Sequence, residues 1–197
     1  MCKIAIAGGG WAGCAAAVRT AKLGIETVLV EKTDLLLGLG NVGGIMRNNG
    51  RFTAAEENIA MGASELFEIT DRLSVHKKVD FPGHKHASFY DTAMVEPEVR
   101  RLLKNLGVEI RFMCRAVDVI MEEAVVTTVD GKRNAAQSET DMECGDEPAA
   151  ERRIKALKLM TADGGRYTED RLDADVFVET TGSTGPMGNC ARHGSGC

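Results

Sequence analysis

The chain opens with a short, β-branched apolar run, Lys3-Ile4-Ala5-Ile6-Ala7, that stops at glycine. A continuous apolar run of this length, bounded by a turn signal, reads as a buried parallel strand. Alanine dominates from Trp11 to Leu23 and Gly24 stands at the C′ position, which predicts a helix. Its small side chains (Ala12, Ala15, Ala16) let it lie close on a sheet. Glu26 to Glu31 reads Glu-Thr-Val-Leu-Val-Glu and predicts a second strand, completing a βαβ unit. Leu35 to Arg51 is a glycine-studded loop. Thr53-Ala54-Ala55-Glu56 has the form of a capping box opening a long helix, with Ile59, Ala63, Leu66, Ile69 and Leu73 on one face.

Lys77 to Ser88 is polar, contains Pro82 and Gly83, and reads as loop and edge strand. Glu96-Pro97 places proline in the first turn of another helix, with an apolar stripe of Val99, Leu102, Leu103 and Leu106 closed by Gly107. Val108 to Phe112 is then expected as a third parallel strand. Beyond Arg115 the pattern shortens. Ala116–Met121 and Ala124–Val129 predict neighbours in an antiparallel meander, interrupted by an acidic, aperiodic insertion over Asp130–Arg153 expected to be a mobile surface loop. Ile154–Thr161 resumes the meander, Asp163-Gly164-Gly165 turns it, and Asp175–Thr180 predicts a last buried strand. There are no internal repeats and no run long enough to span a membrane.

Composition narrows the class. At 197 residues, 44% hydrophobic and 27% charged, the chain has the make-up of an ordinary globular domain. A net charge of −5 leaves no basic stripe for nucleic acid, so any phosphate binding must come from local geometry. The six cysteines (Cys2, Cys14, Cys114, Cys144, Cys190, Cys197) form no compact disulfide framework, which favours a reducing compartment. Residues Ile4 to Val18 are uncharged and contain Trp11-Ala12-Gly13-Cys14, similar to a lipoprotein cleavage site. Three consecutive glycines interrupt the stretch, so it is read as structure and the protein as cytoplasmic.

Gly8-Gly9-Gly10-Trp11-Ala12-Gly13 satisfies G-x-G-x-x-G. The motif alone is weak. Here it follows a strand, opens a helix, and has Glu31 eighteen residues after Gly13. In such a loop Gly8 permits the tight turn, Gly10 lets a pyrophosphate approach the backbone, and Gly13 lets helix and strand pack. The helix N-terminus offers free amides to the diphosphate. Glu31 accepts the ribose hydroxyls and would repel a 2′-phosphate, which disfavours NADP. The alternative is a glycine-rich turn with a surface glutamate.

The glycine loop, Val30-Glu31-Lys32 and a second glycine cluster resemble the two-dinucleotide-binding-domain flavoproteins of the glutathione-reductase type. Within them the chain is similar to FAD-dependent oxidoreductases that carry a cysteine-rich segment after the last FAD-contact strand. The resemblance implies a Rossmann-like α/β FAD-binding domain with a parallel sheet, a βαβ start and an antiparallel β-meander crossover. It implies FAD as cofactor, with Gly38, Gly40, Gly43 and Gly44 passing the pyrophosphate toward the flavin ring. Arg115-Ala116-Val117 would begin the adenine-contacting strand, and Thr180-Thr181-Gly182 would match the family's Ala-Thr-Gly strand end. Gly8, Gly10, Trp11, Ala12, Gly13, Glu31, Lys32, Thr181 and Gly182 complete the expected contacts. Residues 1–197 are expected to form one such domain, incomplete at the C-terminus, with a lobe inserted over about 51–88. Family members run on past the position of Cys197. The expectation is therefore either a second polypeptide completing the flavin site or a truncated chain, as a selenocysteine codon read as stop would produce.

Several residues keep two readings. Cys190 and Cys197, with Arg192 and His193 between them, form a weak redox candidate or an inert terminus. His84-Lys85-His86 could offer two imidazoles to a metal, but lacks a third ligand motif, so no metal is expected. Cys14 and Cys114 read as small core hydrophobes. Trp11 either shields the diphosphate or adenine, or packs on a neighbouring element. Arg47 either binds a phosphate or anionic substrate, or makes a surface salt bridge. The function implied is a flavin-dependent oxidoreductase of unidentified substrate, with no identifiable acid, base or nucleophile. The alternative is a non-catalytic nucleotide-binding subunit.

Overall fold

A computed structural model describes residues 2–48, 53–75, 79–81, 84–123 and 152–182. The βαβ start forms as expected, from β1 (Lys3–Ala7), α1 (Trp11–Lys22) and β2 (Glu26–Val30). Leu23 caps α1, and Gly24 follows in the left-handed conformation at φ +74. A 3-10 turn over Gly38–Gly40 and the short strand β3 (Arg47–Asn48) then occupy the glycine-studded loop.

The capping box does not form. α2 covers only Ala55–Ala60 and its N-cap is Ala54, one residue past Thr53, in a left-handed conformation without a side-chain cap. The expected long helix also breaks: Gly62 turns the backbone to φ +97, and α3 (Ser64–Arg72) starts afresh. The apolar face survives this break, because Ala63, Leu66 and Ile69 remain buried.

β4 (Val79–Phe81) and β5 (His84–Phe89) follow, and the second small sheet runs β3-β5-β4. His84 and His86 therefore lie in the middle strand of three, not in the loop or edge strand expected. α4 (Thr92–Asn105) begins five residues before Pro97, which sits inside the helix and not at its first turn. Asp91 supplies the N-cap, its Oδ1 accepting the Ala93 N–H at 2.8 Å. Replacing such a cap by alanine costs about 1 kcal/mol. Asp91→Ala is thus expected to lower the thermal midpoint by roughly 2–4 °C, read by circular dichroism.

β6 (Glu109–Arg111), β7 (Cys114–Glu123), β8 (Arg152–Asp163), β9 (Arg166–Asp173) and β10 (Val176–Glu179) complete the chain. The main sheet is parallel in the order β10-β1-β2-β6, with β1 in register against β2 from Lys3↔Glu26 to Ala7↔Val30. β10 is its edge among the described residues and is only half-buried, contrary to the buried last strand expected. The meander is the antiparallel sheet β7-β8-β9. β7 runs on to Glu123 and pairs with β8, from Cys114↔Thr161 to Glu123↔Arg152, with register shifts between Ala116 and Asp118 and between Ile120 and Met121. The expected partner Ala124–Val129 and most of the Asp130–Arg153 insertion lie outside the described residues, as do Cys144, Cys190, Arg192, His193 and Cys197.

Two clusters fill the interior, one on each face of the parallel sheet. On one face Ile6, Cys14, Val18 and Leu29 share a core with Leu66, Phe67, Tyr90, Val99 and Leu103, so α1, α3 and α4 are held by one packing. On the other, Ala5, Ala7, Val28 and Val30 meet Leu157, Leu159 and Leu172 of the meander. The strand ends carrying Gly8, Glu31 and Thr180 are fixed between these two cores. Among the described residues no helix is long and apolar enough to cross a membrane.

Candidate functional site

The glycine loop leaves β1 at Gly8, and a cavity of about 1060 Å³ opens against it. This lies just above the roughly 300–1,000 Å³ usual for cofactor and ligand sites. Gly8 is at φ +104, and a Cβ there would stand 2.7 Å from the Thr180 carbonyl oxygen. A Cβ at Gly13 would come within 1.8 Å of the Gly8 carbonyl oxygen. Both glycines are therefore dictated by the protein itself. Gly10 differs, because a Cβ there would meet no protein atom within 4 Å. The space is that of the cavity.

Gly10 is the N-cap of α1 and gives it no side-chain cap; the first intrahelical bond is Cys14 N–H to Gly10 C=O at 2.9 Å. The amides of the first turn are thus left for another acceptor. Trp11 and Ala12, at the head of that turn, line the cavity. A helix terminus of this kind, with no acid in its first turn, is a site for an anion.

Glu31 is buried, and its carboxylate is already engaged. Oε2 accepts the Gly9 N–H at 2.7 Å, and Oε1 accepts the Thr33 N–H at 2.9 Å and the Thr33 hydroxyl at 2.8 Å. A carboxylate offers about four acceptor positions, so about one remains on the side lining the cavity. Glu31 holds the glycine loop before it can hold any ligand.

Three cations share the cavity wall with Glu31: Lys32, Arg47 and Arg115. All three are exposed, and none makes an ion pair among the described residues. The surface salt bridge weighed for Arg47 is thus not formed there. In a chain of net charge −5, this local excess of positive charge matches a multiply charged anion.

The 3-10 turn forms the facing wall. Leu37 N–H donates to the Gly9 carbonyl at 2.7 Å, and a Cβ on Gly38 would lie 3.2 Å from Gly10 Cα. Leu37 is buried and left-handed at φ 69, a strained conformation of the sort found at binding sites. Thr180 closes the floor: its N–H bonds Ala7 C=O, and its hydroxyl lies 2.8 Å from both the Ala7 and Gly8 carbonyl oxygens. The Thr181 Oγ1 beside it is buried on the cavity wall and has no hydrogen-bond partner among the described residues.

Of the residues expected at the site, Gly8, Gly10, Trp11, Ala12, Glu31, Lys32, Gly38, Gly40, Gly43, Arg115, Ala116, Thr181 and Gly182 line one cavity. Gly13 lies beneath the loop, and Gly44 and Val117 are off the wall. Thr180, expected as the start of the Thr180-Thr181-Gly182 strand end, also lines the wall, as do Thr33 and Leu37, which nothing local in the sequence marks.

Cys14 is not a redox group. It is fully buried, its thiol donates to the Gly9 carbonyl at 3.3 Å, and burial pushes its pKa up to about 12. Only the thiolate reacts with alkylating agents. Iodoacetamide at pH 8 is therefore expected to label exposed Cys2 and to leave Cys14 unmodified in the folded protein, as mapped by mass spectrometry.

Solved structures share this architecture. Thermovibrio ammonificans THI4 aligns with a TM-score of 0.55 at 14% identity, covering 92% of this chain and 57% of that one. The myxobacterial chondrochloren halogenase CndH, described as a new variant of FAD-dependent halogenases, aligns with a TM-score of 0.50 at 15% identity, covering 92% and 37%. FqzB gives 0.51 at 14%, covering 93% and 36%. At these identities the likeness is one of fold, and the chain spans between about a third and just over half of each. No curated protein matches the sequence. The family model described as FAD dependent oxidoreductase matches residues 3–145, nearly three quarters of the chain, and this protein belongs to that family.

Proposed function

We propose that this chain is the FAD-binding portion of a two-dinucleotide-binding-domain oxidoreductase, holding FAD with its ADP half along Gly8–Gly13 and its flavin toward the 38–45 turn. The observation that carries the reading is the convergence of the glycine loop, Glu31 and the Thr180–Gly182 strand end on one cavity. The residues present fit the cofactor. Open space over Gly10 and the uncapped first turn of α1 suit a diphosphate. The free acceptor position of Glu31 suits a ribose hydroxyl, with Arg115, Ala116 and Lys32 at the adenine end. The unpartnered Thr181 hydroxyl suits a polar atom farther along the cofactor.

When bound, the flavin supplies the electron- or hydride-accepting centre, and the protein supplies binding, orientation and electrostatics. The first-turn amides hold the diphosphate, and the cations of the cavity wall add a favourable positive field. Glu31 keeps the loop in its binding shape. Leu39, Val42 and Ile45 present an apolar wall that sheds water from the ring end.

Because the chain spans 36–57% of the three solved structures compared above, the substrate side is assigned to further protein, either a continuation or a second polypeptide. That same coverage favours a second reading, a nucleotide-binding subunit without activity of its own. Purified protein is expected to be yellow, or to take up FAD on titration with quenching of flavin fluorescence. Colourless protein that binds neither FAD nor FMN would overturn the cofactor assignment. Yellow protein whose flavin dithionite reduces but which turns over with no electron donor and acceptor pair supports the subunit reading.

A further inference from the structure

Trp11 is the only tryptophan in the chain and stands at the first position of α1. Its backbone belongs to the turn whose amides face the cavity, and the residue lines the wall. Its ring stacks on Phe67 of α3, with centroids 5.3 Å apart and an interplanar angle of 23°. Phe67 is fully buried in the core and does not reach the cavity. The indole Nε1 and the buried Tyr90 hydroxyl also converge over Gly40, where a Cβ would lie 2.9 Å from the first and 2.6 Å from the second. Gly40 closes the 3-10 turn that forms the opposite wall.

One side chain thus touches the anion-binding turn, the buried face of α3 and the facing wall. Backbone contacts also join loop and 3-10 turn: Leu37 N–H donates to Gly9 C=O, and Gly38 stands against Gly10. Backbone contacts of this kind set a spacing at one point. The stacked ring fixes the angle of the first turn as well, because it is clamped from a third element.

We propose that Trp11 is a positioning residue for the dinucleotide: the Trp11–Phe67 stack fixes the first turn of α1 against the 3-10 turn and so sets the gap through which the diphosphate passes. This rests on the FAD assignment above. The buried Phe67 therefore contributes to cofactor affinity without touching the cofactor.

The test is FAD titration of the full chain, prepared free of flavin, for wild type, W11F, W11L, F67Y, F67L and W11L/F67L. Thermal midpoint is recorded on each, and the near-ultraviolet circular dichroism of the single indole on wild type, F67Y and F67L. W11F and F67Y keep a ring in the stack and are expected to bind FAD close to wild type. W11L and F67L are expected to weaken FAD by about tenfold each. The double variant is expected to weaken it no further than the worse single, since one interaction is lost once. F67L is also expected to lose the indole dichroism.

F67L that loses the dichroic band yet binds FAD like wild type overturns the proposal, since the stack would then serve the core alone. W11F as weak as W11L also overturns it. Should F67L fail to fold, the comparison of W11F with W11L decides. Wild-type protein that binds no FAD overturns the cofactor assignment and this inference together, whereas wild-type binding with an unaffected F67L overturns this inference alone.

Discussion

Gly13→Ala is expected to lower the thermal midpoint by roughly 6–12 °C and to abolish FAD binding, whereas Gly10→Ala is expected to leave the midpoint of the flavin-free protein unchanged and weaken FAD at least about tenfold. The two glycines lie three residues apart in one motif and fail for different reasons. A methyl group at Gly13 would stand 1.8 Å from the Gly8 carbonyl oxygen and 2.8 Å from Thr180 Oγ1. Neither neighbour can yield: Gly8 is tied to β2 by its N–H to Val30 C=O, and Thr180 is tied to β1 through Ala7. The helix must therefore move off the sheet. Overpacking costs about 1–3 kcal/mol in a core that can adjust and more where it cannot. At roughly 2–4 °C per kcal/mol for a chain of this size, about 3 kcal/mol gives the expected shift. Gly10 has φ −69 and ψ −174, a conformation open to any residue, and its Cβ would meet no protein atom. The methyl would occupy only cavity. Thermal unfolding and FAD titration on both variants check the pair. A Gly10→Ala protein with wild-type affinity would show that the diphosphate does not pass over this residue.

The same contrast marks what could be read from the sequence. Local features were legible. β1, α1 and β2 follow from the apolar runs and Gly24, and Gly107 closes α4 in the left-handed conformation expected of a helix stop. The Gly8–Gly13 loop, Glu31 and Thr181-Gly182 meet at one cavity because the parallel pairing of β1 with both β2 and β10 brings three strand ends together. Features resting on distant partners were not legible. The apolar stripe from Ile59 to Leu73 was right as a face and wrong as a single helix, since periodicity does not register a Gly62 that bonds through its carbonyl to Lys22. Pro97 reads as a helix start because the cap that extends α4, Asp91, carries no apolar signal. Glu96, expected just before a first turn, is instead buried inside α4 and paired with Arg100, whose guanidinium also reaches the Asp34 carbonyl and lies over Phe112. The choice for Trp11 between ligand and neighbour needed Phe67, fifty-six positions away.

Glu31→Gln is expected to lower the thermal midpoint and weaken FAD binding together, although the substitution changes neither the length nor the shape of the side chain. The reason is the number of donors aimed at the carboxylate. Gly9 N–H, Thr33 N–H and the Thr33 hydroxyl all point at its two oxygens. Glutamine has one oxygen and an amide that only donates. With its oxygen on Gly9, the amide can be accepted by the Thr33 hydroxyl, which then turns its proton to the Leu35 carbonyl at 3.0 Å, but the Thr33 N–H is left without an acceptor. With the oxygen on Thr33, the Gly9 N–H is left instead. Either way one shielded donor is orphaned, at about 1–3 kcal/mol, and the charge assistance to the others is lost. The expected fall in midpoint is roughly 2–12 °C. Glu31→Ala orphans all three donors and is expected to be worse on both measures. FAD affinity falls in each case through the shape of the Gly8–Gly10 backbone as well as through the lost ribose contact. The order wild type, Glu31→Gln, Glu31→Ala in both thermal midpoint and FAD affinity is the expected result. A Glu31→Gln protein of unchanged midpoint but weakened affinity would mean that the carboxylate serves the ligand alone and that the loop keeps its shape without it.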